Sequence, residues 1–300
     1  MKKIKKGDVV DIVAPASFSP IEEFEQGCFE LNKWGLKVQS EIQFDAFHPY
    51  HSDEDEYRAG DLIRAFSNKD SKIIWSIRGG YGSIRLLEQL KKCKKPKNDK
   101  IFIGYSDLTS VHQFLNQEWN LKTIHGPMIS SFSNSKFDQK CLLELKQILF
   151  GKKSSLKYKL SALNDFANKK TKIKGKLTGG NLSVIQTSLG TPYEMDFKNK
   201  IVLLEDVGER GYRLDRALAH LELSGKFKKA KAIILGDFVG GLESDGKSYV
   251  EFALTRFALK QKIPVYKSSE FGHGIKNRPL IFNHTHSITG MDLSTEINFL

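Results

Sequence analysis

The stretch Ile101-Phe102-Ile103-Gly104-Tyr105-Ser106-Asp107-Leu108-Thr109 sets a serine where an apolar run gives way to a helical pattern. A sharp strand-to-helix turn of that kind holds a hydroxyl clear of a sheet edge, as acyl-transfer chemistry requires of a nucleophile. Gly104 keeps the turn small, and the Asp107 N–H, in the first helical turn, could meet a developing oxyanion. The hydrolase pattern G-x-S-x-G ends in glycine, whereas this chain has Leu108. Taken alone, a serine in this position is more often a helix N-cap.

A serine hydroxyl attacks at neutral pH only with a base beside it and a carboxylate to orient that base. Glu205 closes an otherwise apolar run, where a lone carboxylate is costly unless paired or solvated. His273 lies in Phe271-Gly272-His273-Gly274, where flanking glycines leave an imidazole accessible. The order Ser106, Glu205, His273 is that of α/β-hydrolase triads. Bland alternatives stand beside this one. Glu205 could pair with Arg213 or Arg216, and Asp206, Glu209 and Asp215 compete for its role. His273 could be a turn residue.

Arg78-Gly79-Gly80-Tyr81-Gly82 follows another apolar run. It is weak evidence for a phosphate loop, but the Gly80 N–H suits an oxyanion hole shared with Asp107. His284 and His286 alternate as a metal pair would, without a clear third ligand, so no metal is expected. His112, His125 and His220 read as packed or helix-surface residues. Nothing calls for a cofactor.

These groups need elements that bring them to one edge. Strand-like runs at 9–13, 36–42, 72–77 and 101–106 alternate with helical patterns from Ser19, Ser52, Ser83 and Asp107. That is βαβ spacing. It predicts an α/β fold whose N-terminal sheet is mostly parallel and flanked by helices, with functional groups in loops beyond the strands' carboxyl ends. After residue 175, runs at 200–205 and 232–235 alternate with helices at 212–223 and from Ser248, and short strands close the chain. This reads as a C-terminal α/β domain with mixed short strands. The domains expected are therefore 1–150, carrying the serine, and 175–300, carrying the acid and base. Residues 151–174, rich in lysine and weakly periodic, read as the linker.

The net charge of +12 across 300 residues is concentrated in lysine runs, with nine Lys against one Asp in 152–176. Such runs are usually solvated faces, so nucleic acid is not expected as a partner, although the field would draw an anionic substrate. Cys28, Cys93 and Cys141 lack paired spacing, which argues against a disulfide framework and a Cys-rich metal site. No run reaches membrane-spanning length, and Asp11 interrupts the apolar patch near the N-terminus. A cytoplasmic protein is expected, with export left open.

Together these pieces are recognisable. The chain resembles the LD-carboxypeptidase family, serine peptidases that include muramoyltetrapeptide carboxypeptidases and microcin C self-immunity proteins. The resemblance runs through Ala14-Pro15-Ala16-Ser17, Tyr57-Arg58-Ala59-Gly60-Asp61-Leu62, Arg78-Gly79-Gly80-Tyr81-Gly82, Gly104-Tyr105-Ser106-Asp107, His125-Gly126-Pro127-Met128, Gly179-Gly180-Asn181, Leu204-Glu205-Asp206 and Phe271-Gly272-His273. It implies Ser106 as nucleophile, Glu205 as orienting acid and His273 as base, drawn from two domains. It also implies a homodimer, and release of a terminal D-alanine from murein tetrapeptides in peptidoglycan recycling. Arg78 would hold the free carboxylate, bidentately. One departure is Arg278-Pro279-Leu280-Ile281, where the family shows a glycine-ending run, so the loop after the base is expected to differ. The alternative activity is that of the immunity branch, on acyl-adenylate analogues. Residues 151–175 offer only Tyr158 and Phe166 to stack on a base, which favours the muropeptide. A non-catalytic binder on the same scaffold is a third reading.

Overall fold

A computed structural model describes residues 2–45, 48–97, 100–169 and 172–299. The chain forms two compact units. The first runs to Ser154 and takes in Arg278–Ile281 and the last residues from Asn298; the second holds Ser155–Asn277 and Phe282–Ile297.

In the first unit the strands are β1 (Val9–Val13), β2 (Lys37–Ser40), β3 (Ser71–Ser76), β4 (Ile101–Gly104) and β5 (Thr123–His125). The helices between and after them are α1 (Ile21–Lys33), α2 (Asp55–Ser67), α3 (Leu87–Lys91), α4 (Thr109–Gln117) and α5 (Lys140–Leu149). The strands pair in parallel in the order β2-β1-β3-β4-β5. Parallel strands covered on both faces need apolar residues at successive positions, and Ile73, Ile74 and Trp75 are all fully buried. Ile73, Trp75 and Ile103 face one way, into a core with Leu31 and Trp34 of the α1 region and Leu145 of α5. Phe102 faces the other way, stacked on Phe66 of α2 and edge-on to His112 of α4. The N-terminal expectation of a helix-flanked parallel sheet is what the structure shows.

The second unit begins inside the segment that composition marks as a linker. Its elements are β6 (Ser155–Lys159), β7 (Ser161–Ala162), α6 (Asp165–Asn168), β8 (Lys172–Asn181), α7 (Leu182–Thr187), β9 (Lys200–Val207), α8 (Gly211–Leu223), β10 (Ala232–Val239), α9 (Val250–Lys260) and β11 (Val265–Lys267). After them come β12 (Leu280–Phe282), β13 (Thr285–Thr289) and β14 (Asp292–Glu296). β12 lies beside β5 at the edge of the first sheet. The other strands of this part form one sheet, β6-β14-β13-β8-β9-β10-β11-β7. Its middle, β8 to β11, is parallel, and its flanks are antiparallel. Helices α7, α8 and α9 share a core with Val202 and Leu204 of β9, Ile233 and Leu235 of β10 and Val265 of β11.

The expected linker at 151–174 is thus corrected. Apart from residues 170 and 171, which lie outside the described residues, it supplies two strands, a helical turn and the start of β8. The signal was a period of two: Leu156, Tyr158 and Leu160 are buried while the intervening Lys157 and Lys159 are exposed. Lysine count hid it.

Asn164, in the same segment, is buried and fully engaged. Its Nδ2 donates to the Ala258 and Ile263 carbonyls at 3.0 and 2.9 Å, and its Oδ1 accepts from the N–H groups of Ala167 and Val265 at 3.1 and 3.3 Å. Asn164→Ala strands these buried groups and should cost about 2–4 kcal/mol, whereas Lys157→Ala should stay within roughly 0.5 kcal/mol of the parent. Urea unfolding of both variants checks this; a linker residue at 164 would show no such gap.

Candidate active site

Ser106 stands two residues past the end of β4, at the head of a 3-10 turn, Ser106–Leu108, that leads into α4. It is not the N-cap; that position is Tyr105. Its φ is +64°, the left-handed region that costs a residue with a Cβ about 1–2 kcal/mol. Such strain persists only where the surroundings impose it, and it clusters at functional turns. Here Asp107 and Leu108 are buried on one side, and on the other a Cβ on Gly104 would fall 3.1 Å from Leu108 Cγ. Asp107 faces away from the turn's opening: its carboxylate accepts the Ser83 N–H at 2.8 Å, and its carbonyl accepts the Ser83 hydroxyl at 2.6 Å. Burial pushes that carboxyl above its ordinary pKa. The Asp107 N–H, at the start of the helix, is among those for which a helix has no internal acceptor.

The glycine-rich loop lies directly against this turn. A Cβ on Gly79 would fall 2.8 Å from the Ser106 Cβ and 3.0 Å from its Oγ, closer than real side chains approach. A Cβ on Gly80 would overlap Ser17. Ser17 ties the loop down: its Oγ accepts the Tyr81 N–H at 3.1 Å and donates to the Tyr50 carbonyl at 3.0 Å. Arg78, partly exposed, donates from Nη1 to the Phe18 carbonyl at 3.2 Å.

In the second unit the carboxyl ends of β8, β9 and β10 and the chain beyond β11 carry Asn181, Glu205 with Asp206, Asp237 and His273. Glu205 is fully buried, and its Oε2 lies 2.6 Å from Nδ1 of His273. Among the described residues Oε1 has no hydrogen-bond partner. Burial works to lower the His273 pKa, but the charge and hydrogen bond of Glu205 outweigh it, so the imidazole titrates above its ordinary value. Burial likewise raises the Glu205 carboxyl, offset only in part by His273. The two shifts describe one shared proton, which we assign to Nδ1, facing the carboxylate.

The rivals of Glu205 are occupied elsewhere. Asp206 accepts from Asn181 Nδ2 at 2.9 Å, from the Ser183 N–H and hydroxyl at 2.9 and 2.7 Å, and from the Val207 N–H at 2.9 Å. Asp215 pairs with Arg256 and Glu209 with Arg213. His112 is buried between Thr123 Oγ1 and the Gly104 carbonyl, His125 is buried against Tyr105, and His220 contacts Gln186 on the surface of α8. His284 and His286 do not converge on a common point: His284 Nε2 meets the Glu296 carbonyl and His286 Nδ1 the His284 carbonyl. Past His273, Arg278 grips Glu144 with two bonds of 2.7 and 2.8 Å, and Leu280 and Ile281 of the departing run go into β12.

The structure therefore brings Glu205 to His273, and Gly79 to Ser106 and Asp107, with Gly80 against Ser17, each group within its own unit. Sequence reasoning passed over Asp237, although the signal that marked Glu205, a carboxylate ending an apolar strand, is equally present in Ala232-Ile233-Ile234-Leu235-Gly236-Asp237.

The N-terminal domain of LD-carboxypeptidases matches residues 10–126 and their C-terminal domain residues 174–288. The chain belongs to the LD-carboxypeptidase family. A "putative carboxypeptidase" of Rickettsia conorii is 40% identical over 280 residues, covering 93% of this chain and 87% of its own length. The murein tetrapeptide carboxypeptidase of Pseudomonas aeruginosa is 28% identical over 291 residues, covering 94% and 93%. The crystal structure of the muramoyltetrapeptide carboxypeptidase from Oxalobacter formigenes superposes with a TM-score of 0.83 at 28% identity, over 97% of this chain and 99% of that one. Among the described residues, no helix is long and apolar enough to cross a membrane.

Two outcomes follow for this LD-carboxypeptidase family member. At position 106 glycine should be more stable than alanine by about 1 kcal/mol, because only alanine meets the left-handed penalty; urea unfolding of Ser106→Gly and Ser106→Ala checks the order. Nitrogen NMR should find His273 titrating above 6.5, its ordinary value, and Glu205→Gln should bring the midpoint down. Since the folded-state pKa is the raised one, the pair's contribution to stability is full below the unfolded-state value and is lost as pH rises through the folded-state value.

Proposed function

We propose that the chain is a serine LD-carboxypeptidase that removes the terminal D-alanine from murein tetrapeptides, with Ser106 as nucleophile, Glu205 as orienting acid and His273 as general base. The observation that carries this reading is the buried 2.6 Å bond between Glu205 and His273, which fixes the tautomer a base needs. The left-handed Ser106 supports it, as does the 28% identical murein tetrapeptide carboxypeptidase that matches nearly end to end.

In this reading Nε2 of His273 takes the Ser106 hydroxyl proton while Oγ bonds to the carbonyl carbon of the L-centre. The carbonyl electron pair moves to oxygen, where the N–H groups of Gly80 and Asp107 receive it; one such donor is worth roughly 3–4 kcal/mol of barrier. The pair returns, the C–N bond breaks, and His273 hands its proton to the D-alanine amine. Water, deprotonated by the same imidazole, then cleaves the acyl-enzyme and restores Ser106. Neutral imidazole is needed to begin, so activity falls as pH drops through the raised His273 pKa. Arg78, with one of its five N–H groups spent on the Phe18 carbonyl, receives the D-alanine carboxylate. The enzyme works as a cytoplasmic homodimer on recycled muropeptides.

D-alanine release from a murein tetrapeptide should be readily measured in the parent and reduced by roughly 10³-fold or more in Ser106→Ala. Arg78→Met should raise KM about tenfold or more, with a smaller change in kcat. Turnover that survives in Ser106→Ala would remove the serine from the mechanism. Cleavage of an aminoacyl-sulfamoyl adenylate with none of the tetrapeptide would move the protein to the immunity-type activity.

A further inference from the structure

The carboxyl end of β10 breaks its pairing with β9 opposite the buried acid. Leu235 is level with Leu204 and Phe238 with Asp206, so Gly236 and Asp237 together stand against Glu205. A bulge puts two residues against one, bends the strand and re-aims a side chain, and bulges recur beside active sites. Here the bulge turns Asp237 toward the segment 271–274. Its N–H donates to the Phe271 carbonyl at 2.7 Å. Its carboxylate accepts the Gly274 N–H. The backbone is therefore held on both sides of His273 by one residue. The neighbours are shaped to permit this: a Cβ on Gly236 would fall 2.7 Å from the Phe271 carbonyl oxygen and 3.1 Å from the Glu205 Cβ, and one on Gly274 would overlap Asp237 Oδ2.

We propose that Asp237 is a positioning residue for the His273 base, holding the histidine's backbone from either side while its carboxylate adds to the charge that the imidazole faces. The proposal rests on the reading of His273 as the base. The charged groups around Asp237 are Glu205 on β9, Lys267 on β11 and His273 itself, while Asp206 acts on His273 from β9. Burial and the charge of Glu205 raise the Asp237 pKa, and Lys267 opposes them. The Asp237 charge joins those of Glu205 and Asp206 in retaining the proton on His273. Removing it should let that proton go at lower pH. A residue that merely stapled the loop would leave the histidine's titration where it was.

Two variants of the full chain separate these roles. Asp237→Asn keeps an oxygen for the Gly274 N–H and loses the charge; Asp237→Ala loses both. Each is read by kcat and KM for D-alanine release and by nitrogen NMR titration of His273. We expect Asp237→Ala to lower kcat by roughly 10–100-fold with KM within about threefold, since small misplacements of a reacting group cost that much. Asp237→Asn should recover most of kcat at neutral pH. The His273 midpoint, and with it the acid limb of kcat/KM, should move down in both. Parent-like kcat in Asp237→Ala, or a midpoint unmoved in both variants, would overturn the proposal. Should Asp237→Ala not fold, the midpoint in Asp237→Asn decides alone. Should the parent release no D-alanine, the proposed function fails, yet the His273 midpoint needs no substrate and still judges Asp237.

Discussion

A carboxylate taken wholly out of water is held in its charged form only by what it touches, and Glu205 has no exposed surface at all. The imidazole at 2.6 Å is what compensates it. Much of the carboxyl edge of the second sheet is arranged so that this contact can exist. β9 is buried along nearly its whole length, which delivers Glu205 into the interior. Asp206, the next residue, is saturated by Asn181, Ser183 and Val207 and so does not compete for the histidine. β10 gives up two rungs of its ladder to make room. Replacing one partner would leave a buried charge unanswered, usually a larger loss than the pair itself is worth.

The first unit solves a different problem with the same economy of parts. Ser106 is held at a φ that it does not prefer. Three elements impose this: β4, which is buried throughout; the 3-10 turn leading into α4, anchored through Asp107 to Ser83; and the loop whose Gly79 abuts Ser106. Ser17 braces that loop through Tyr81 and Tyr50, so the exit from β1 also serves the turn after β4. The anchoring is local and comes from hydrogen bonds between side chains and backbone, together with steric limits.

The surplus of lysine has a structural place as well as an electrostatic one. On β6 and β8 lysines occupy the outward positions of strands whose inward positions are buried, and Lys157 and Lys159 both pair with Asp292 of the neighbouring β14. Exposed pairs of this kind add little stability. On β6, an edge strand of its sheet, lysines are of the kind that discourages edge-to-edge pairing.

The sequence by itself determined the alternation of strands and helices, the α/β class and the small set of side chains able to do acyl chemistry. All of these depend on local pattern: apolar periodicity, glycine and proline at turns, and a lone carboxylate at the end of an apolar run. The serine, acid and histidine were nameable on those grounds, and the family resemblance fixed their order of importance. Tertiary structure showed what each of the competing acids touches: Glu205 meets His273, whereas Asp206, Glu209 and Asp215 have other partners. It also decided that residues 155–169 build a sheet, since two short strands are stable only when distant β11 and β14 pair with them. And it revealed Asp237, whose role depends on a slipped register between β9 and β10, a relation between segments that no local pattern encodes.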